Sequence, residues 1–195
     1  MSVPKECGTN LIEDAPLAPG TCYTATSDGD KAALIKVEVI TMTGNGKLTI
    51  TGSTSAEARE DIKNTYNYLR ANERSILAQV HSLQRLDVTV QVTALIGAGV
   101  NKCIGAAVFA AIVSSVFGRN LKSALGVIGN IIIGGAIERT LNFNDSMSTL
   151  SENGVKTVLV PMYNLAEMST LPAAILGKTD IPFYSNTQIL IQNMI

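Results

Sequence analysis

A single histidine, His81, and three cysteines, Cys7, Cys22 and Cys103, at no metal-like spacing leave the chain without the ligand set of a zinc centre. The odd cysteine count offers no disulfide framework, which points to a reducing compartment and a cytoplasmic location. The opening MSVPKECGTN lacks a basic segment followed by an apolar one, so no secretory signal is expected. Long apolar runs are absent too. The longest, residues 104–117, lies between Lys102 and Arg119 and falls short of the roughly 20 residues a bilayer requires. It is read as a buried helix, with no membrane association. Lys and Arg never cluster and the net charge is -1, so direct nucleic-acid binding has no electrostatic basis. No G-x-x-x-x-G-K-[ST] string occurs, and the glycines at 97 and 99 lack the spacing with which backbone amides surround a phosphate.

What is present fits one globular domain. A chain of 195 residues buries a core without disulfides or metals. Apolar residues make up 46% and charged residues 16%, a sparse charge coat that implies surface covered by self-association or by a partner domain. Residues 1–20, with Pro4, Pro16 and Pro19 and little periodicity, read as an N-terminal arm or linker, and residues 21–195 as the domain.

Within that domain the periodicities predict an α/β (α+β) fold with an N-terminal β-hairpin, mixed sheets and packed helices. Lys36-Val37-Glu38-Val39-Ile40 and Lys47-Leu48-Thr49-Ile50-Thr51 alternate on either side of Gly44-Asn45-Gly46, and are expected to pair as that hairpin. Ser53 or Thr54 is expected to cap a helix carrying Ala58, Ile62, Tyr66 and Leu69 on one stripe and ending near Asn72. A strand over residues 86–92 leads through the glycine loop to the buried helix of residues 103–117, stopped by Gly118. Residues 126–133 with Gly134-Gly135 predict two short strands and a tight turn. Residues 145–153 read as a helix with Asp145 at its N-cap and Gly154 beyond its C-terminus, and residues 155–160 as a buried strand. A short helical stretch over 164–168, a strand over 181–184 and a terminal helix from Thr187 complete the chain.

Two strings then carry a family resemblance. Gly46-Lys47-Leu48-Thr49-Ile50-Thr51-Gly52 is similar to the G-K-L-x-L-T-G strand of Lon proteolytic domains, and Gly154-Val155-Lys156-Thr157-Val158-Leu159-Val160-Pro161 to their G-I-K-T-V-L-I-P strand. Between them Gly118-Arg119, Gly129 and Gly135 fall on the family's T-G-R, T-G-E and R-G segments, so the similarity runs from about residue 20 to residue 170. The tail Asp180-Ile181-Pro182-Phe183-Tyr184-Ser185 most resembles the Lon-related proteins of BREX phage-defence systems. The resemblance implies an AAA+ ATPase region upstream, hence no cofactor in this domain and ATP only on that region. It further implies ring-like self-association and a polypeptide ligand, with this chain an excised piece or a stand-alone relative.

The same alignment removes the family's serine-lysine chemistry. The nucleophile string P-K-D-G-P-S-A-G is matched by Ala98-Gly99-Val100-Asn101-Lys102-Cys103-Ile104-Gly105, so Cys103 stands for the serine, and Ser146 stands for the catalytic lysine. The family's strand histidines become Thr89 and Gln91, its loop aspartate Val100 and its T-G-E glutamate Asn130. A cysteine at a helix N-terminus has a chemical reading, since free N–H groups there favour a thiolate. It also has a plain one, a small buried hydrophobe without a base. His81, Cys7 and Cys22 read as non-catalytic. Three functions follow: a pseudo-peptidase serving assembly or docking, a peptidase with Cys103 as nucleophile, or a ligand-binding module reusing the cleft.

Overall fold

The computed structural model describes residues 10–52, 54–77, 82–97 and 102–195. The described part of the arm, residues 10–20, lies against the domain. Ile12 is buried and its N–H donates to the Asn153 carbonyl at 3.1 Å, while β1 (Pro16–Leu17) pairs antiparallel with β6 (Leu121–Ser123).

The first long hairpin is β2 (Thr21–Ser27) with β3 (Ala32–Thr43), antiparallel across a turn in which Asp28 Oδ1 accepts the N–H groups of Asp30 and Lys31 at 3.0 and 2.8 Å. Those two bonds hold the Asp28 carboxyl below its usual range. The hairpin expected between β3 and β4 (Leu48–Gly52) does not form. Strand β5 (Leu86–Ile96) lies between them, antiparallel to β3 and parallel to β4. The turn residues explain the insertion. Gly44 N–H donates to the Arg85 carbonyl at 2.8 Å, and Asn45 and Lys47 N–H both donate to Asp87 Oδ1 at 2.9 Å, so the Gly-Asn-Gly segment is bonded to the start of β5. Alternation selects a strand's buried face but not its neighbour.

Helix α1 (Ala56–Ala71) is capped by Ser55, whose Oγ accepts the Ala58 N–H at 3.1 Å. Thr54 is therefore not the cap, and Ser53 lies outside the described residues. Ala58, Ile62, Tyr66 and Leu69 are all buried, as their spacing predicts, and the helix passes through Asn72 into the single turn α2 (Glu73–Ile76). Helix α3 (Gly105–Phe117) is buried except at Ser115 and Phe117 and stops at Gly118, whose φ of 60° is left-handed. Strand β7 (Leu125–Val127) is followed by the small hairpin of β8 (Asn130–Ile131) and β9 (Ile137–Glu138) around Gly134-Gly135.

Helix α4 (Phe143–Glu152) begins after Asn142 at φ 49°, not at Asp145. Asp145 lies in the first turn, where Asp145 Oδ2 accepts the Ser27 hydroxyl at 2.9 Å. After β10 (Thr157–Pro161), the stretch expected as a short helix is a 3-10 segment, Met162–Thr170. One turn, α5 (Ala173–Leu176), then leads to β11 (Phe183–Tyr184) and α6 (Thr187–Met194), which Asn186 caps through the Ile189 N–H at 2.9 Å.

The main sheet is seven-stranded and mixed, in the order β11-β10-β7-β2-β3-β5-β4. Its two faces carry separate cores. Ile35, Val37, Val88, Val90 and Val92 pack with α1 and α3, whereas Leu34 and Ala25 pack with α4, Ile12 and Val158. Among the described residues, no helix is long and apolar enough to cross a membrane.

Candidate functional site

Cys103 precedes α3 rather than beginning it, because Ile104 holds the N-cap position. Its backbone has φ 76°, a left-handed conformation unusual for a residue with a side chain. The Cys103 N–H donates to Asp61 Oδ2 at 2.7 Å, a charge-assisted bond that holds the backbone there. Asp61 lies on the inner stripe of α1 and is only 8% exposed.

The other Asp61 oxygen accepts from Asn130 Nδ2 at 3.0 Å, and the same nitrogen donates to Glu138 Oε2 at 3.0 Å. Asn130 Oδ1 accepts the Gly105 N–H at 3.1 Å, and the Thr65 hydroxyl donates to the Gly105 carbonyl at 3.4 Å. One amide side chain therefore joins α1, the start of α3, β8 and β9. Among the described residues the ion pairs are Lys36–Glu38 and Arg139–Glu167, and neither neutralises Asp61 or Glu138.

This surrounding decides the electrostatics. Burial raises the Asp61 carboxyl above its usual value; the bonds from Cys103 and Asn130 oppose that, and the Glu138 charge adds to it. The Cys103 thiol is pushed up to about 11, first by burial and then by Asp61 and Glu138, with Lys102 pulling weakly the other way. A helix N-terminus alone predicts the reverse direction. Burial, reinforced by the two carboxylates, outweighs it here and favours the protonated thiol at neutral pH.

Ser146, at the aligned lysine position, is fully buried on α4, and its Oγ is closed from solvent with no partner. Thr89 and Gln91 alternate with Val88, Val90 and Val92, so they face away from α3; they line a hollow of about 350 Å³ with Glu38 and Ile40. The structure therefore does not gather them with Cys103. Cys22 is buried, and desolvation pushes its thiol up to about 12. Cys7, His81 and Val100 lie outside the described residues.

Asp61 and Glu138 are site residues the sequence reading missed. A signal existed for the first: Asp61 and Thr65 are polar positions on the apolar stripe of Ala58, Ile62, Tyr66 and Leu69. Glu138 carried none, being brought in by a two-residue strand.

Two cavities meet at Cys103. One, of about 380 Å³, is lined by Thr26, Asp28, Glu57, Lys102, Cys103 and Thr140 among others. The second, of about 530 Å³, shares Glu57, Lys102, Cys103 and Leu141 and adds Glu60, Asp61, Asn130, Glu138 and Arg139. The profile of the family described as the Lon protease (S16) C-terminal proteolytic domain matches residues 14–195. The chain belongs to this family.

Among curated proteins, this Lon domain is 27% identical over 190 residues to the Lon-like protease BrxL of Bacillus cereus, covering 96% of the chain and 28% of that protein. The Lon-like protease BrxL of Escherichia coli is 25% identical over 188 residues, covering 95% of the chain and 27% of that protein. Lon protease 2 of Desulfotalea psychrophila is 24% identical over 184 residues, covering 94% of the chain and 23% of that protein. The Lon domain thus spans about a quarter of the length of the relatives it matches.

Proposed function

We propose that this Lon domain is a non-catalytic assembly and docking module of a larger, phage-defence-type protein in the cytoplasm. An AAA+ region of that protein binds the ATP, and this domain needs no cofactor of its own. The reading rests on one observation, the Asp61–Asn130–Glu138 network around Cys103. Peptide hydrolysis by a cysteine requires a thiolate, or a base that accepts the thiol proton as the carbonyl is attacked. Here the groups beside the thiol are carboxylates that oppose its ionisation, and Asp61 already accepts the Cys103 backbone N–H. At the lysine position stands the uncharged Ser146. The polar groups brace the Cys103 backbone, and a carboxylate already engaged by N–H donors on both oxygens is poorly placed to take the thiol proton.

A second reading, a peptidase with Cys103 as nucleophile, is favoured by one feature: the half-buried thiol lies where two cavities join. A fluorogenic peptide and unfolded casein distinguish the two, with a proteolytically active Lon domain as control. The docking reading expects no turnover by wild type or by Cys103→Ser/Ser146→Lys, because the lysine arrives without groups that lower its pKa and orient it. Wild-type turnover that disappears on Cys103 alkylation selects the peptidase.

A further inference from the structure

The chain holds two Asn-Gly pairs, Asn45-Gly46 and Asn153-Gly154, and the fold gives them opposite surroundings. In such a pair the glycine nitrogen can close on the asparagine side chain, since no Cβ hinders its approach and the reaction lies within one chain. Asn153 is braced against this. It is the C-cap of α4, its Nδ2 donates to the Thr149 carbonyl at 2.7 Å, and the Gly154 nitrogen donates to the Ser151 carbonyl at 3.4 Å. Gly154 is buried besides, with the Ile12 carbonyl and Asn10 packed over it. Asn45 has none of these restraints. It is exposed, and among the described residues its carboxamide makes no hydrogen bond, so the side chain is free to turn onto the Gly46 nitrogen. That nitrogen is also lightly held. Of the three turn N–H groups that lower the Asp87 carboxyl, Gly46 contributes least, while Lys47 and Asn45 donate to Asp87 Oδ1 at 2.9 Å.

The structure assigns Asn45 as a site of spontaneous deamidation. The Gly46 nitrogen loses its proton to solvent base and bonds to Asn45 Cγ, the Cγ–Nδ2 bond breaks, and ammonia leaves with a proton from water. One water then opens the succinimide ring at either carbonyl, giving aspartate or isoaspartate. The net change consumes one water, releases one ammonia and involves no oxidation or reduction. Either product puts a carboxylate on the turn that surrounds the ionised Asp87. Isoaspartate also inserts a methylene into the main chain between the two N–H groups that Asp87 Oδ1 accepts. Those bonds tie the turn to the start of β5, so the modification loosens the β3-β5-β4 order at the edge of the sheet. The assignment stands whichever function the Cys103 cleft serves.

Ageing the protein in mildly alkaline buffer, folded and in urea, tests it. The tryptic peptide of residues 37–47 has Asn45 as its sole asparagine, so mass spectrometry reads its conversion directly and an isoaspartyl methyltransferase labels the isoaspartate. In the folded protein Asn45 is expected to convert at least about tenfold faster than Asn153, and in urea the two rates are expected to converge. Asn45→Gln, whose longer side chain closes the ring far more slowly, should start with the wild-type melting temperature and keep it on ageing, whereas that of wild type falls. Equal rates at the two sites in the folded protein would overturn the assignment. So would an Asn45 that converts in urea but survives in the folded protein, or an aged wild type that melts no lower than aged Asn45→Gln.

Discussion

Gly105 has no side chain because there is no room for one: an added Cβ would strike Asn130 Oδ1 and lie 2.9 Å from Thr65 Oγ1 and 3.0 Å from the Ile131 nitrogen. Gly105→Ala is expected to cost about 1–3 kcal/mol in chemical denaturation, the range of overpacking in a filled core. Asp61→Ala strands two buried donors, the Cys103 N–H and one Asn130 N–H, and is expected to cost a similar roughly 1–3 kcal/mol at neutral pH. Its pH dependence has a definite sign. A carboxyl whose native pKa is raised binds protons more readily folded than unfolded, so its stabilising contribution is complete below the unfolded value and lost as pH rises through the raised native one. The stability gap between wild type and Asp61→Ala should therefore widen on acidification from pH 6 towards about pH 4. Asp28 and Asp87, both lowered by backbone N–H bonds, act in the opposite sense but are common to the two proteins and cancel in the difference. A gap that narrows would mean a native Asp61 pKa below its unfolded value, with the hydrogen bonds from Cys103 and Asn130 outweighing burial.

At the scale of elements, helices were the most readable from sequence, since a period of 3.6 residues reports burial directly. The stripe of α1 and the apolar girth of α3 lie where the pattern places them. Caps were harder, because Ser53, Thr54 and Ser55 all satisfy the same preference and only the path of the chain selects Ser55. Ser55→Ala should lower stability by about 0.5–2 kcal/mol, while Thr54→Ala should lower it less. Strand pairing was the least legible. The insertion of β5 between β3 and β4 depends on Asp87 and Arg85 capturing the turn amides from some 40 residues away, and no local pattern encodes that. The site shares this limit. Cys103, Ser146 and Asn130 were found through the family strings, but the carboxylates that control Cys103 come from helix and strand positions that only folding unites.

Across the whole molecule the sparse charge coat leaves large apolar side chains exposed, among them Met162, Tyr163 and Leu165 on the 3-10 segment at 44%, 68% and 52%. A surface of this kind should associate, and light scattering is expected to give a mass that rises with concentration; a strict monomer at high concentration contradicts the assembly role. The same sparseness makes the acidic cleft around Cys103 the more distinctive surface, and it leaves the state of that thiol as the point on which the functional account turns. The most direct measurement is the alkylation rate of Cys103 by iodoacetamide as a function of pH, resolved by mass spectrometry of the peptide that carries it. With a thiol pushed up to about 11, the rate should climb roughly tenfold per pH unit from 7 to 10 without levelling. A rate already at its plateau between pH 7 and 8 would mean a thiolate at neutral pH, and would contradict the proposal that this Lon domain is a non-catalytic docking module.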